Sequence, residues 1–237
     1  MGESLDMDEL SAQLHLDTGY ALMQQGLFEQ AEAEFNVALE YQEDCHAALL
    51  GLGMIYRACS SWDRAEEHFW EFISRSPDDY RGYFELASLY MDTGRPDSAL
   101  IMADSAFLRA PMNPEIWMLN GRSGLAVGDT LVAERWFARC THSAGNVGLE
   151  ATIYLADIYR LTQRGADARE ILLPVAASGY SPALWSLSRV YLDWGDYMRA
   201  VDAIENYLML SPDGPYADSA YLVLESLAES GEYIAPD

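Results

Sequence analysis

Six alanines divide the chain into near-equal lengths. Ala31, Ala65, Ala99 and Ala133 follow one another at intervals of 34 residues, and Ala168 and Ala200 continue the series at 35 and 32. Around each alanine the same pattern returns. Twelve residues earlier stands a small residue (Gly19, Gly53, Ala87, Gly121, Ala156, Ser188), and three residues after that come Leu22, Tyr56, Tyr90, Gly124, Tyr159 and Tyr191. Four residues after each alanine lie Phe35, Phe69, Ala103, Phe137, Leu172 and Ile204. A unit of this length cannot bury its own apolar face, so the units must stack to make a core.

Inside a unit the periodicity is helical. In LDTGYALMQQGLFEQAEAEFNVAL apolar residues recur at spacings of three and four, interrupted at Gly26. Gly94, Gly128 and Gly195 occupy the same place in their units, where a helix ends on a left-handed residue. Asn113-Pro114 and Ser181-Pro182 each set a capping residue ahead of a proline that suits a first helical turn. Pro77, Pro111 and Pro212 close three of the units. Each unit therefore reads as two antiparallel helices, with the small residue and the alanine at their closest approach and the aromatics between neighbouring units.

This pattern resembles the tetratricopeptide repeat, over residues 12–214. The resemblance implies an all-α, right-handed α-solenoid of about six helix-turn-helix repeats, at 12–45, 46–79, 80–113, 114–148, 149–180 and 181–214. The fifth repeat departs most, with Gln163 at its turn and Leu172, Val175 and Tyr180 in its later slots. Pro174 predicts that its second helix ends or bends at Leu173. A last repeat needs a cover, and residues 215–231 read as a capping helix, apolar on one side and acidic on the other. Residues 1–11 and 232–237 read as tails.

Charge narrows the function. Fourteen basic residues, all arginine, stand against 38 acids, a net −24. Such a chain repels phosphate backbones and anionic membrane surfaces, so neither nucleic acid nor membrane is an expected partner. No apolar run reaches the roughly 20 residues that span a bilayer. Glu3, Asp6, Asp8 and Glu9 precede the first basic residue, Arg57, unlike a secretory leader, and the expected location is cytoplasmic. Cys45, Cys59 and Cys140 are odd in number and far apart, which implies no disulfide framework. Cys45-His46 and Cys140 with His142 lack the spacing of a metal site. There is no G-x-S-x-G elbow and no phosphate-binding G-x-x-x-x-G-K-[ST] loop. The expectation is a non-enzyme that needs no cofactor or metal.

The resemblance also implies where a partner sits. In the family the first helix of each repeat lines a concave groove through five recurring slots. Here those slots include Arg57, Arg81, Phe84, Met91, Met118, Arg122, Arg160, Trp185 and Arg189. Methionine-rich apolar surfaces adapt to varied ligands, and arginine and tryptophan anchor interfaces. The expected partner is a protein, bound through a peptide or helix segment that is amphipathic or acidic and apolar, with Phe84, Met118 and Trp185 in contact and the arginines orienting it. Arg122, Asp157 and Arg189 share one slot in successive repeats, so an internal ladder of ion pairs competes with that role. A scaffold or a co-chaperone-like adaptor would fit, but family members that clamp acidic chaperone tails use lysines, and this chain has none. The alternative function is a self-associating structural subunit, a homo-oligomer.

Overall fold

The computed structural model describes residues 7–231, and among them every regular element is an α-helix. The helices form two compact units, Met1–Asp129 and Thr130–Asp237. The first unit holds α1 (Met7–Gln24), α2 (Phe28–Tyr41), α3 (His46–Ala58), α4 (Trp62–Arg75), α5 (Tyr80–Asp92), α6 (Pro96–Arg109) and α7 (Pro114–Ala126). The second holds α8 (Thr130–Cys140), α9 (Asn146–Leu161), α10 (Gly165–Ala177), α11 (Ser181–Asp193), α12 (Tyr197–Leu210) and α13 (Ala217–Ser230). Within each unit consecutive helices pack against one another, and in the first unit α1, α3, α5 and α7 also touch in sequence, as do α9 and α11 in the second. This is the all-α solenoid of helical repeats.

The repeated positions explain the packing. Ala31, Ala65 and Ala99 in the first unit and Ala133, Ala168 and Ala200 in the second are all fully buried. So are Phe35, Phe69, Ala103, Phe137, Leu172 and Ile204, four residues further on. Phe35 lies between two glycines. A Cβ on Gly19 would come within 2.6 Å of its ring, and one on Gly51, in the next repeat, within 2.5 Å. Close helix approach and a large aromatic are thus two halves of one fit.

The turns between paired helices share one geometry. Gly26, Gly94 and Gly128 have φ of +74°, +68° and +80°, and Gly195 in the second unit has +70°. Ser60 and Gln163, at the same position in their repeats, are driven to +57° and +61°. After each of these residues the next backbone N–H reaches back to close the helix end: Leu27 to the Leu22 carbonyl at 3.0 Å, Arg164 to Tyr159 at 2.7 Å. Asn113 caps α7 through the Glu115 N–H at 3.0 Å. Ser181 does not cap α11. It is already inside the helix, and its hydroxyl bonds that of Ser211 at 2.7 Å.

Two further sequence expectations shift. α1 starts at Met7, inside the expected N-terminal tail, while residues 1–6 and 232–237 lie outside the described residues. α10 does not end at Leu173 but runs on to Ala177 through Pro174. Pro174 and Glu170 are both exposed, so the carbonyl left without its helical donor can turn to water.

Successive repeats are also tied by a polar trio that follows the period. Tyr90 donates to Glu66 at 2.7 Å, and Arg95 pairs with Glu66 at 2.8 Å with its guanidinium 4.3 Å from the Tyr90 ring centre. Tyr56 and Glu32 repeat the pair one repeat earlier, but Ser61 holds the place of Arg95, and Arg64 supplies the guanidinium instead, 3.8 Å from the ring. There burial, and then Glu32, push the Tyr56 hydroxyl up to about 12. In the second unit Arg164 grips Glu134 at 2.6 and 3.0 Å and stacks 4.2 Å from the Tyr159 ring. Arginine suits this dual contact because its planar head both stacks and forks, which lysine cannot do.

Burial opposes the charge on Glu66, but Arg95 and Tyr90 outweigh it and hold the carboxyl below its ordinary value. A lowered carboxyl contributes stability above its unfolded pKa, about 4.3, and that contribution disappears as pH falls through the folded value. Glu66→Gln is therefore expected to destabilise the first unit at neutral pH, by no more than about 1 kcal/mol for a partly exposed pair. The difference should close below about pH 4. Thermal melts of both proteins across pH check this; a gap that persists in acid would assign the loss to packing.

Candidate functional site

In the first unit the first helices of the repeats leave two hollows that share Met54. One, of about 320 Å³, is lined by Tyr20 of α1, Leu50 and Met54 of α3, Tyr80, Arg81, Phe84 and Glu85 of α5, and Asn113 and Glu115 at the start of α7. The other, of about 340 Å³, is lined by Met23, Met54, Arg57, Ala58 and Asp92. Slots recurring every 34 residues bring these side chains to one side because each first helix repeats the same face. Of the sequence-derived site residues, Arg57, Arg81 and Phe84 line these hollows. Met91 is half-buried against the core of the same unit.

The remaining candidates sit elsewhere. Met118 on α7 is only 7% exposed, and Arg122 on the same helix is open to solvent. In the second unit Trp185 is 9% exposed. Tyr216, just before α13, stacks on Trp185 with ring centres 5.7 Å apart, and Tyr207 and Ala220 complete its surroundings. The expected open contact at Trp185 is therefore covered, because Tyr216 and α13 pack over this apolar end of α11 and α12. A third hollow, of about 430 Å³ in the second unit, is lined by Arg160, Gln163, Gly165, Val190, Asp193 and Trp194.

The arginines are largely engaged. Arg57 donates to Glu85 at 2.6 Å and to Asp92 at 2.7 Å. Arg81 holds Asp79, the N-cap of α5, through Nη2 at 2.7 Å and Nε at 3.1 Å. In the second unit Arg160 donates to Asp193 at 2.9 Å, and Arg189 to Asp157 at 2.9 Å, so one rung of the expected ladder is present. A rule emerges that the sequence carried unread. Arg57 pairs with Asp92 and Arg160 with Asp193, in each case the neighbouring slot one repeat on.

Electrostatics follow from these pairs. Burial pushes the Glu85 carboxyl above its ordinary value even though Arg57 stands against it. Partial burial acts on Asp79 in the same sense, but Arg81 outweighs it and lowers that carboxyl. Among the described residues no three His, Cys, Asp or Glu side chains are grouped to hold a metal ion. None of their helices is long and apolar enough to cross a membrane.

A sequence profile described as the tetratricopeptide repeat matches residues 16–80, 57–111 and 84–147. No curated protein matches the chain in sequence. Among solved structures, the chain is similar to PilF of Pseudomonas aeruginosa at 15% identity and a TM-score of 0.75, covering 90% of this chain and 98% of that one. PilW, described as a type IV pilus biogenesis factor, gives 17% identity and a TM-score of 0.74 over 89% and 98%. YrrB, described as a repeat protein with an unusual peptide-binding site, gives 14% and 0.63 over 79% and 97%. At such identities the likeness is one of fold.

Proposed function

The chain belongs to the tetratricopeptide repeat family, and on that premise we propose that it is a protein-interaction module, not an enzyme, that takes a segment of a protein partner into the paired hollows of its first unit. One observation carries the reading. Tyr20, Leu50, Met54 and Phe84 come from three successive first helices and converge on one concave, apolar surface with polar groups at its border. Concave apolar lining with a few placed polar groups is how binding sites are built. The peptide-binding site reported for YrrB lends the family reading support. The occupant is an extended peptide or one face of a helix, and the proposal gives the second unit no part in the contact.

The test is selection of a random-peptide display library on the intact chain. Peptides are expected to be enriched, and their affinity should fall about tenfold on Phe84→Ala, a loss of about 1.4 kcal/mol typical of an apolar anchor. Ile101→Ala, an exposed change on α6, should leave it unaltered. If nothing is enriched, or the peptides bind Phe84→Ala undiminished, the proposal is wrong. Because Phe84 also packs against the core, a melt of each variant accompanies the measurement.

A second reading rests on α1. Met7, Leu10 and Leu14 lie along one stripe of that helix and are 71%, 52% and 65% exposed. Such a stripe at the end of an array favours self-association through a second copy. Light scattering over a range of concentrations decides it, since a monomer throughout would remove the reading.

A further inference from the structure

Resting on the interaction reading above, we infer that the segment bound in the first unit's hollows is cationic as well as apolar, with an arginine or lysine side chain that meets Glu115. The sequence alone allowed an amphipathic or an acidic and apolar segment, the acidic one because arginines occupy the groove slots. The ion pairs weigh against the acidic alternative.

Both cations beside the hollows are already committed. Arg57 is held between Glu85 and Asp92, and Arg81 lies against Asp79 in a forked contact. A carboxylate on the ligand would have to share either guanidinium with an internal acid that already neutralises it. Glu85 cannot readily be left behind, because it is largely buried and already strained toward its neutral form by lost hydration. Against these two arginines stand Asp79, Glu85, Asp92 and Glu115, four acids to two cations. The surplus is local, on a chain whose net charge is −24.

Glu115 is where that surplus is available. It lines the hollow of about 320 Å³ and is exposed, and its backbone N–H is occupied by the Asn113 cap. No ion pair among the described residues engages its carboxylate. A cationic side chain arriving beside Phe84 would find an unspent partner without breaking an internal pair, and complementary charge also speeds encounter and rejects acidic competitors. The arginines then act as braces that keep their acids in place, while the apolar floor supplies most of the contact.

The probe is again a random-peptide display library, selected at physiological salt on the full chain and on two single-charge variants. Glu115→Gln removes the proposed partner, and Glu67→Gln removes an exposed acid on α4, away from the hollows. The recovered peptides should be enriched in arginine or lysine next to an apolar residue. Their affinity should fall about tenfold on Glu115→Gln and change less than twofold on Glu67→Gln. Peptides rich in aspartate or glutamate, or without charge preference, that still lose binding on Phe84→Ala would overturn the cationic inference and leave the hollow reading intact. Equal losses from both glutamine variants would also overturn it, by assigning attraction to the acidic surface as a whole. Cationic peptides indifferent to Phe84→Ala would remove both readings.

Discussion

Phe35→Ala is expected to lower the stability of the first unit by about 3–5 kcal/mol, the cost of emptying a fully enclosed aromatic site. The ring is completely buried, and Gly19 and Gly51 beside it carry no side chain that could fill the space. The complementary change should also be damaging. Gly51→Ala sets a methyl group within 2.5 Å of the ring, which predicts a loss of about 1–3 kcal/mol. Combining Gly51→Ala with Phe35→Leu should recover part of the sum, because the two positions share one contact. Urea unfolding followed by circular dichroism measures the starting protein, Phe35→Leu, Gly51→Ala and the double variant, with Phe35→Ala alongside. Strictly additive losses would show that ring and glycine do not interact.

Ending the chain after Gly214 should have the second largest effect. α13 and the residues before it cover Trp185, Ile204 and Tyr207, the apolar end of the last repeat. The Tyr207 hydroxyl also accepts the Tyr216 backbone N–H at 2.9 Å, a hydrogen bond that the shortened chain cannot make. Exposing part of three large side chains costs on the order of 4 kcal/mol and leaves a sticky surface. The truncated protein is expected to melt lower and to associate in light scattering. A monomer with an unchanged melt would mean that α13 decorates the second unit and does not complete it.

Most of the architecture was legible because packing enforces the period. The six alanines had to be small, and all six are buried without residual exposure. The turn glycines announced their left-handed backbone, yet Ser60 and Gln163 take it without being glycine, so the tertiary stack overrides local preference there. Gln163 marked the fifth repeat as irregular in sequence, while its backbone conforms. The site was half legible. Slot positions came from the period, which is why Arg57, Arg81 and Phe84 reach the hollows. Burial and pairing did not, because they depend on neighbours far along the chain. Trp185 was lost to Tyr216, and Arg57 to acids 28 and 35 residues away. The glutamates of the tyrosine trio were missed although Glu32, Glu66 and Glu134 each directly follow a repeat alanine.

The seat of Phe35 bears on how such a chain avoids misalignment. Near-identical repeats invite slippage, in which one helix docks against the wrong successor during synthesis or refolding. Thirty-four residues beyond Gly51 the corresponding position is Glu85. A slip of one repeat would therefore offer Phe35 a bulky carboxylate side chain in place of a bare backbone, and would strip Glu85 of Arg57. The Phe35–Gly51 junction is thus keyed, and the key gives the first two repeats an address that the rest of the array cannot counterfeit.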